Sequence, residues 1–233
     1  MSKLKTKEKI ISLINDMIEN RVITSSDLQR FAVTGTNTFD PEGVRLSYYN
    51  WYMSLGIEQV IQRRFELGEC PFSETELKLA EKQNQIVICV PKGLTRIELG
   101  KLFRLESWVL NDPLVTPVTE NEDCWFLTPK SSTPEFLGEK GIDLEQRFDR
   151  ENKINFSIER YMVFIARMRF LTGELPDQQY WIWLPSGRYD RSGMLMAGFD
   201  RYGRLSIHRW MPQFSASFLG ARYGIKPKSE QNV

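Results

Sequence analysis

The sequence contains one histidine, three cysteines and no long apolar run. A single histidine excludes any metal site that needs two imidazole ligands, which covers the common zinc and copper arrangements. The cysteines are Cys70, Cys89 and Cys124; they lack C-x-x-C spacing, and an odd number leaves one unpaired in any disulfide scheme. We therefore predict no metal and no cofactor, and the cysteine usage favours a reducing cytoplasm.

Signals for membrane insertion and secretion are also missing. The longest apolar runs, 86–90 and 161–166, are far shorter than the roughly 20 residues that a membrane span needs. The basic start of the chain spaces its apolar residues as a helix does, instead of grouping them in one block before a cleavage site. We expect no membrane partner.

The net charge is +1, so the chain as a whole offers little attraction to nucleic acid. That balance hides a gradient along the sequence. Residues 111–151 contain ten acids and four bases, a net charge of −6, whereas residues 180–228 contain eight bases and two acids, a net charge of +6. The C-terminal part is therefore the candidate surface for an acidic partner, unless the acidic stretch folds over it.

The 233 residues, 41% of them hydrophobic, allow one sizeable core with an appendage. Residues 1–35 have the pattern of a helical hairpin, and the Gly- and Pro-containing segment 33–44 predicts a flexible link after it. We expect residues 44–225 to form a single α+β domain and the polar end, 226–233, to fray.

Helical periodicity is clearest over 157–172, which begins with a serine N-cap and ends before a glycine. Capping boxes at Ser73 and Thr95 predict further helices in the middle of the chain. The segments 180–184 and 204–210 alternate with the period of two that is typical of strands. The predicted fold class is α+β: an N-terminal helical hairpin, a helical middle, and a C-terminal antiparallel sheet of three to four strands packed on helix 157–172.

We expect helix 157–172 to cover one face of that sheet, whereas the sequence leaves open what covers the second face. The residues expected to form the core between the helix and the sheet are Ile158, Tyr161, Met162, Ile165, Met168, Ile182, Leu184, Leu205 and Ile207. Trp181 and Trp183 alternate onto the second face. Either further helices cover them, or they stack on a base or a sugar.

A similar phrase occurs twice, at 189–193 (YDRSG) and 199–203 (FDRYG). In the second copy, Asp200 and Gly203 fit a turn in which the aspartate side chain caps its own backbone and the glycine takes a positive φ. The first copy offers the same residues. We interpret both as turns of a strand meander rather than as a repeated chemical site.

Candidate catalytic groups are few. His208 could pair with Cys89 or Cys124 in a nucleophilic dyad, but no local signature supports this. The acids of 120–123 could bind a hard cation, although no EF-hand spacing is present. Lys92 lies in a strand-to-helix turn that resembles a phosphate cradle only weakly, because it has one glycine.

The residues best placed for partner binding are Arg188, Arg191, Arg201, Arg204, His208 and Trp210. Together they predict a basic rim around an aromatic patch on the C-terminal sheet. We interpret the protein as a non-catalytic interaction protein whose partner is an acidic protein or a nucleic acid. The alternative is an enzyme with carboxylate, lysine or single Cys–His chemistry. The sequence does not specify a substrate, an oligomeric state or a pathway.

Overall fold

The computed structural model describes residues 39–190 and 193–228, together with three isolated helical positions, Ser12, Asn15 and Glu19. The predicted hairpin of residues 1–35 otherwise lies outside the described residues. Six α-helices occur within 39–228: Pro41–Ser54 (α1), Ile57–Ile61 (α2), Glu74–Lys82 (α3), Arg96–Phe103 (α4), Gly141–Arg150 (α5) and Ile158–Thr172 (α6).

The strands of the same described residues form three sheets. They are Gln85–Val90 (β1), Cys124–Pro129 (β2), Ile154–Asn155 (β3), Trp181–Tyr189 (β4), Gly193–Phe199 (β5), Leu205–Trp210 (β6), Leu219–Ala221 (β7) and Tyr223–Gly224 (β8). Strands β1 and β2 pair with each other, β3 pairs with β8, and the C-terminal sheet has the order β6-β5-β4-β7. The fold is α+β, as predicted.

Local capping explains where the helices begin. The hydroxyls of Ser73 and Thr95 each accept a hydrogen bond from a backbone N–H three residues on, and Glu76 and Glu98 return a bond to the cap, so both predicted capping boxes are present. Asp40 caps α1 by accepting from the Gly43 N–H at 3.1 Å. These side chains satisfy N–H groups that have no partner inside the helix.

Helix α6 is the centre of the core. It contacts α4, β1 and β4, and is therefore enclosed from several directions rather than from one. The nine residues predicted to pack between this helix and the sheet are all buried in one apolar cluster. A helix enclosed in this way buries residues around most of its circumference, including the charged Glu159 and Arg167.

The C-terminal sheet has four strands, but one of its three strand pairs, β4 with β7, is parallel and not antiparallel. Strand β7 pairs with β4 over 181–183, on the side of β4 opposite β5. The segment between β6 and β7, residues 211–218, crosses from one edge of the sheet to the other, which reverses the expected direction of the last strand. Strand β6 is left at the opposite edge.

A fully buried ion pair joins Arg222, the residue after β7, to Asp177. Arg222 donates to both carboxylate oxygens of Asp177, at 2.8 and 2.6 Å, and also to the Ser131 carbonyl at 2.9 Å. The Tyr161 hydroxyl donates to the same carboxylate at 3.3 Å. Because Asp177 is 0% exposed and Arg222 is 2% exposed, the pair depends on these contacts in place of water.

The C-terminal end stays attached to the domain as far as residue 228. Lys226 Nζ donates to Asn152 Oδ1 at 2.6 Å, and the Lys228 backbone N–H donates to Glu76 at 3.0 Å. Of the predicted frayed tail, residues 229–233 lie outside the described residues.

Candidate interaction surface on the C-terminal sheet

Helix α5 packs on part of the second face of the C-terminal sheet, where Leu144 and Phe148 join the cluster that contains Trp183. Trp183 is fully buried beneath it, and its indole N–H donates to the Glu139 carbonyl at 3.3 Å. The helix can approach because its first residue is Gly141, where an added Cβ would lie 2.9 Å from the Trp183 ring. Of the two tryptophans predicted on the second face, Trp183 is therefore covered by a helix and is a core residue.

Trp181 remains partly exposed and lies across Gly198 toward the edge of the sheet. An added Cβ on Gly198 would lie 2.8 Å from the Trp181 indole, so only glycine leaves room for the ring. The indole then meets His208 edge to face, with the ring centres 4.9 Å apart. His208 Nε2 is 3.3 Å from the Ser206 hydroxyl, and both residues lie on this second face. His208, which we predict to bind a partner, therefore lies beside the Trp181 ring on the second face of the sheet.

The predicted basic rim is partly neutralised inside the protein. Arg188 forms an ion pair with Glu145 of α5, and Arg204 pairs with Asp200 at 2.8 Å. Arg201 is exposed, its guanidinium 4.8 Å from the centre of the Tyr202 ring. Arg191 lies outside the described residues. Glu145 belongs to the acidic stretch, so among the described residues one ion pair joins the two charged regions.

The Asp200 turn has the predicted geometry. The Asp200 carboxylate accepts from the backbone N–H groups of Tyr202 and Arg204, at 2.8 and 3.0 Å, and Gly203 has φ +72°. The hydrogen bond from the Arg204 backbone N–H is the main cause that lowers the pKa of Asp200 below its ordinary value. The first copy of the phrase differs, because there Asp190 carries the positive φ, +52°, and Gly193 begins β5. The two similar sequences, 189–193 and 199–203, therefore do not form the same turn.

We expect Gly203→Val to lower the free energy of unfolding by about 1–2 kcal/mol, the usual cost of a left-handed backbone at a residue with a Cβ. No atom lies within 4 Å of an added Cβ, so the whole effect should come from the backbone. Gly203→Asn should cost less, because asparagine tolerates this region. Urea unfolding of both variants is the measurement, and equal losses would contradict the turn argument.

Exposed aromatic side chains lie around the edge strand β6 and in the segment 211–218 that follows it. Within 39–190 and 193–228, the exposed large apolar residues of this region are Tyr202 (66%) in the turn before β6, Trp210 (48%) at its end, Met211 (73%) and Phe214 (37%) just after it, and Phe218 (50%), whose carbonyl accepts from the Trp181 N–H at the β7 edge. We call Trp210, Met211 and Phe214 the apolar patch. Trp210 and Phe214 contact each other, with ring centres 5.1 Å apart. Only one other exposed aromatic ring is found in those residues, Trp108.

Trp108 lies at the same strand. Its indole N–H donates to the Ile207 carbonyl at 2.9 Å and so occupies one outward-facing acceptor of the edge. Arg209 stacks on Tyr189, 4.3 Å from the ring centre, and is the second exposed arginine of this region without a carboxylate partner among the described residues. Sequence reasoning found Trp210 but missed Met211, Phe214, Phe218 and Arg209, although the cluster of large apolar residues in the turn-rich segment 211–218 was a usable signal.

The other candidate groups serve structural roles. Burial raises the pKa of Cys89 well above its ordinary value and that of Cys124 to about 11, so neither is a ready nucleophile at neutral pH. The Asp123 carboxylate accepts from the Lys92 backbone N–H at 2.8 Å, so a group of the protein itself occupies the turn that resembles a phosphate cradle only weakly. Glu120 pairs with Arg160 at 2.8 Å.

Comparisons with known proteins add no family or fold assignment: no protein-family model, curated protein or solved structure matches this chain. In the part of the chain that the structure describes, no helix has the length and apolar character to cross a bilayer. Within the same residues, histidine, cysteine and carboxylate side chains form no group of three or more that could hold a metal ion.

Proposed function

We propose that the C-terminal sheet is a docking surface for an acidic segment of another protein and that the chain acts by binding, not by catalysis. The observation that carries the proposal is the apolar patch, in which two exposed rings and a methionine lie together at the end of the edge strand β6. Soluble proteins seldom expose a contiguous apolar surface without a partner for it. Tryptophan, tyrosine, phenylalanine, methionine and arginine are the residues enriched at protein interfaces.

The charges favour a protein partner over a nucleic acid. Arg188 and Arg204 already have carboxylate partners, which leaves Arg201 and Arg209 as the free cations of the described sheet. Nucleic-acid binding depends on many simultaneous phosphate contacts, and two arginines supply few. Arg201, in the turn before β6, and Arg209, next to Trp210 in the chain, suit a segment that carries both acidic and apolar side chains.

The location of the protein belongs to the same proposal. Cys70, Cys89 and Cys124 are all free thiols, and Cys70 and Cys89 are buried. This supports a reducing compartment, for which the cytoplasm is our proposal. The enzyme alternative has less support, because Cys89 is buried, Glu120 is paired with Arg160 and the Asp123 carboxylate accepts from the Lys92 backbone N–H.

A random-peptide library displayed on phage tests the proposal. We expect peptides selected on the wild-type protein to be enriched in acidic and apolar residues. Trp210→Ser/Phe214→Ser should weaken binding of a selected peptide roughly tenfold or more, the loss typical of interface anchors. Leu79→Ser/Ile97→Ser removes exposed apolar residues of α3 and α4, 46% and 40% exposed, and should leave the affinity unchanged.

Measurements of DNA binding separate the two partner classes. Fluorescently labelled single-stranded and duplex DNA should not bind at low salt. Binding that weakens with salt and with Arg201→Ala/Arg209→Ala would replace the protein partner by a nucleic acid. Peptides that bind wild type and Trp210→Ser/Phe214→Ser equally well would contradict the proposal, provided that both proteins show the same cooperative melt.

A further inference from the structure

A cavity lined by none of the residues of the C-terminal sheet lies between α1, α3, β1 and α6. Its volume is about 310 Å³, which is near the lower end of the range for small-molecule sites. Its walls are partly apolar and partly polar, and the apolar side chains include Val44, Leu77, Ala80, Ile86 and Leu171. The polar lining side chains are Ser47, Tyr48, Glu81, Asn84, Gln85, Lys130 and Arg167.

Arg167 is the unusual member of this lining, because it is a buried cation without a carboxylate. The residue is 5% exposed, and its Nη2 donates to the Ser47 hydroxyl at 2.8 Å. Its Nε and Nη1 are buried and have no hydrogen-bond partner among the described residues. No carboxylate of the described residues lies within ion-pair distance. The other fully buried arginine, Arg222, has both its carboxylate and a carbonyl.

Aromatic rings hold the Arg167 guanidinium in place. Its central carbon lies 4.4 Å from the ring centre of Tyr48, 5.1 Å from that of Trp51 and 5.4 Å from that of Phe170. These contacts offset part of the cost of burial but supply no hydrogen-bond acceptor. Burial lowers the pKa of Arg167 from its ordinary value, while the nearby Tyr48 hydroxyl opposes the change. The protein therefore holds an oriented cation whose hydrogen-bonding capacity is mostly unused.

We propose that this cavity binds a small organic carboxylate, with its charged end against Arg167 and an apolar body against Leu77, Ala80 and Leu171. A guanidinium offers N–H groups in a planar fork that matches a carboxylate. Lys130 lines the same cavity, is exposed, and makes no ion pair with any described residue, so it attracts an anion toward the entrance.

The lining favours a monocarboxylate over phosphate. Glu81 is the acid of this lining and repels additional negative charge, so two cations and one acid leave a net charge of +1 for the ligand to match. A phosphate group carries about two negative charges at neutral pH, more than this net charge of the lining can match. None of the lining residues belongs to the proposed protein-binding surface, so the two sites are separate.

The test measures binding of hexanoate, benzoate and phenylacetate to the full chain by calorimetry, with the matching neutral amides and inorganic phosphate as controls. We expect at least one carboxylate to bind, and its amide to bind roughly tenfold or more weakly, because hydrogen bonds to a charged group are lost. Arg167→Met should abolish this binding. Lys130→Gln should weaken it, and Arg169→Met, an exposed arginine on the same helix, should leave it unchanged.

Thermal unfolding without ligand separates a binding role from a structural one. Arg167→Met removes a buried cation that lacks a carboxylate, so we expect it to melt at the wild-type temperature or above. A large loss of stability, binding that survives Arg167→Met, equal binding of acid and amide, phosphate binding as tight as that of any carboxylate, or no binding by any of the three carboxylates would each overturn the proposal.

Discussion

Replacing Arg222 with methionine should lower the free energy of unfolding by about 3–5 kcal/mol, because it leaves the carboxylate of Asp177 buried without its cation. Among the described residues, the Tyr161 hydroxyl, at 3.3 Å, would then be the one side-chain donor to that carboxylate. Removing both charges, in Arg222→Met/Asp177→Asn, should cost less than the single change, since no uncompensated charge is then buried. Denaturant unfolding of the two variants measures the difference.

The pH dependence of the Arg222→Met variant provides an independent check. An unpaired buried carboxylate has a raised pKa, so the folded variant favours the protonated form. The penalty should therefore be largest at neutral pH and should shrink as the pH falls toward about 4, the ordinary aspartate value. Arg204→Met removes the partner of the exposed Asp200 and serves as the control, with little change expected. An Arg222→Met protein as stable as wild type would show that the ion pair of Arg222 and Asp177 does not stabilise the protein.

Truncation of Ile165 to alanine should cost about 2–5 kcal/mol, the range for a large buried aliphatic residue cut to a methyl group. Ile165 is 1% exposed on α6, which is packed by α4, β1 and β4, so the surrounding structure has little freedom to collapse into the space. Arg169→Ala changes an exposed residue one turn further along and should stay within about 0.5 kcal/mol of wild type. The midpoints of urea unfolding compare the two variants, and equal midpoints would show that α6 is not central to the core.

Features that depend on neighbouring residues could be predicted from the sequence. The capping boxes at Ser73 and Thr95, the limits of α6 and the Asp200 turn all follow from side chains that bond to backbone within a few residues. The alternation over 205–210 likewise gave the correct core face of β6, because strand side chains alternate regardless of what covers them.

Features that depend on distant residues could not be predicted from the sequence. The apolar face assigned to α6 omits Arg167, because periodicity assumes one solvent-facing side and this helix is enclosed from several directions. Arg188 counts as a free cation until Glu145, 43 positions earlier in the chain, is placed beside it. The parallel pairing of β7 depends on the path of residues 211–218, which no local signal specifies.

The last short strand also determines when the protein can finish folding. Ile225 exchanges two backbone hydrogen bonds with Leu127, at 3.0 and 2.7 Å, and β8 pairs with β3 just before it. A chain emerging from the ribosome N-terminus first therefore leaves β2 without this neighbour until residue 225 is free to pair with it. During that interval the nascent protein is open to aggregation, which makes chaperone contact during synthesis advantageous for it.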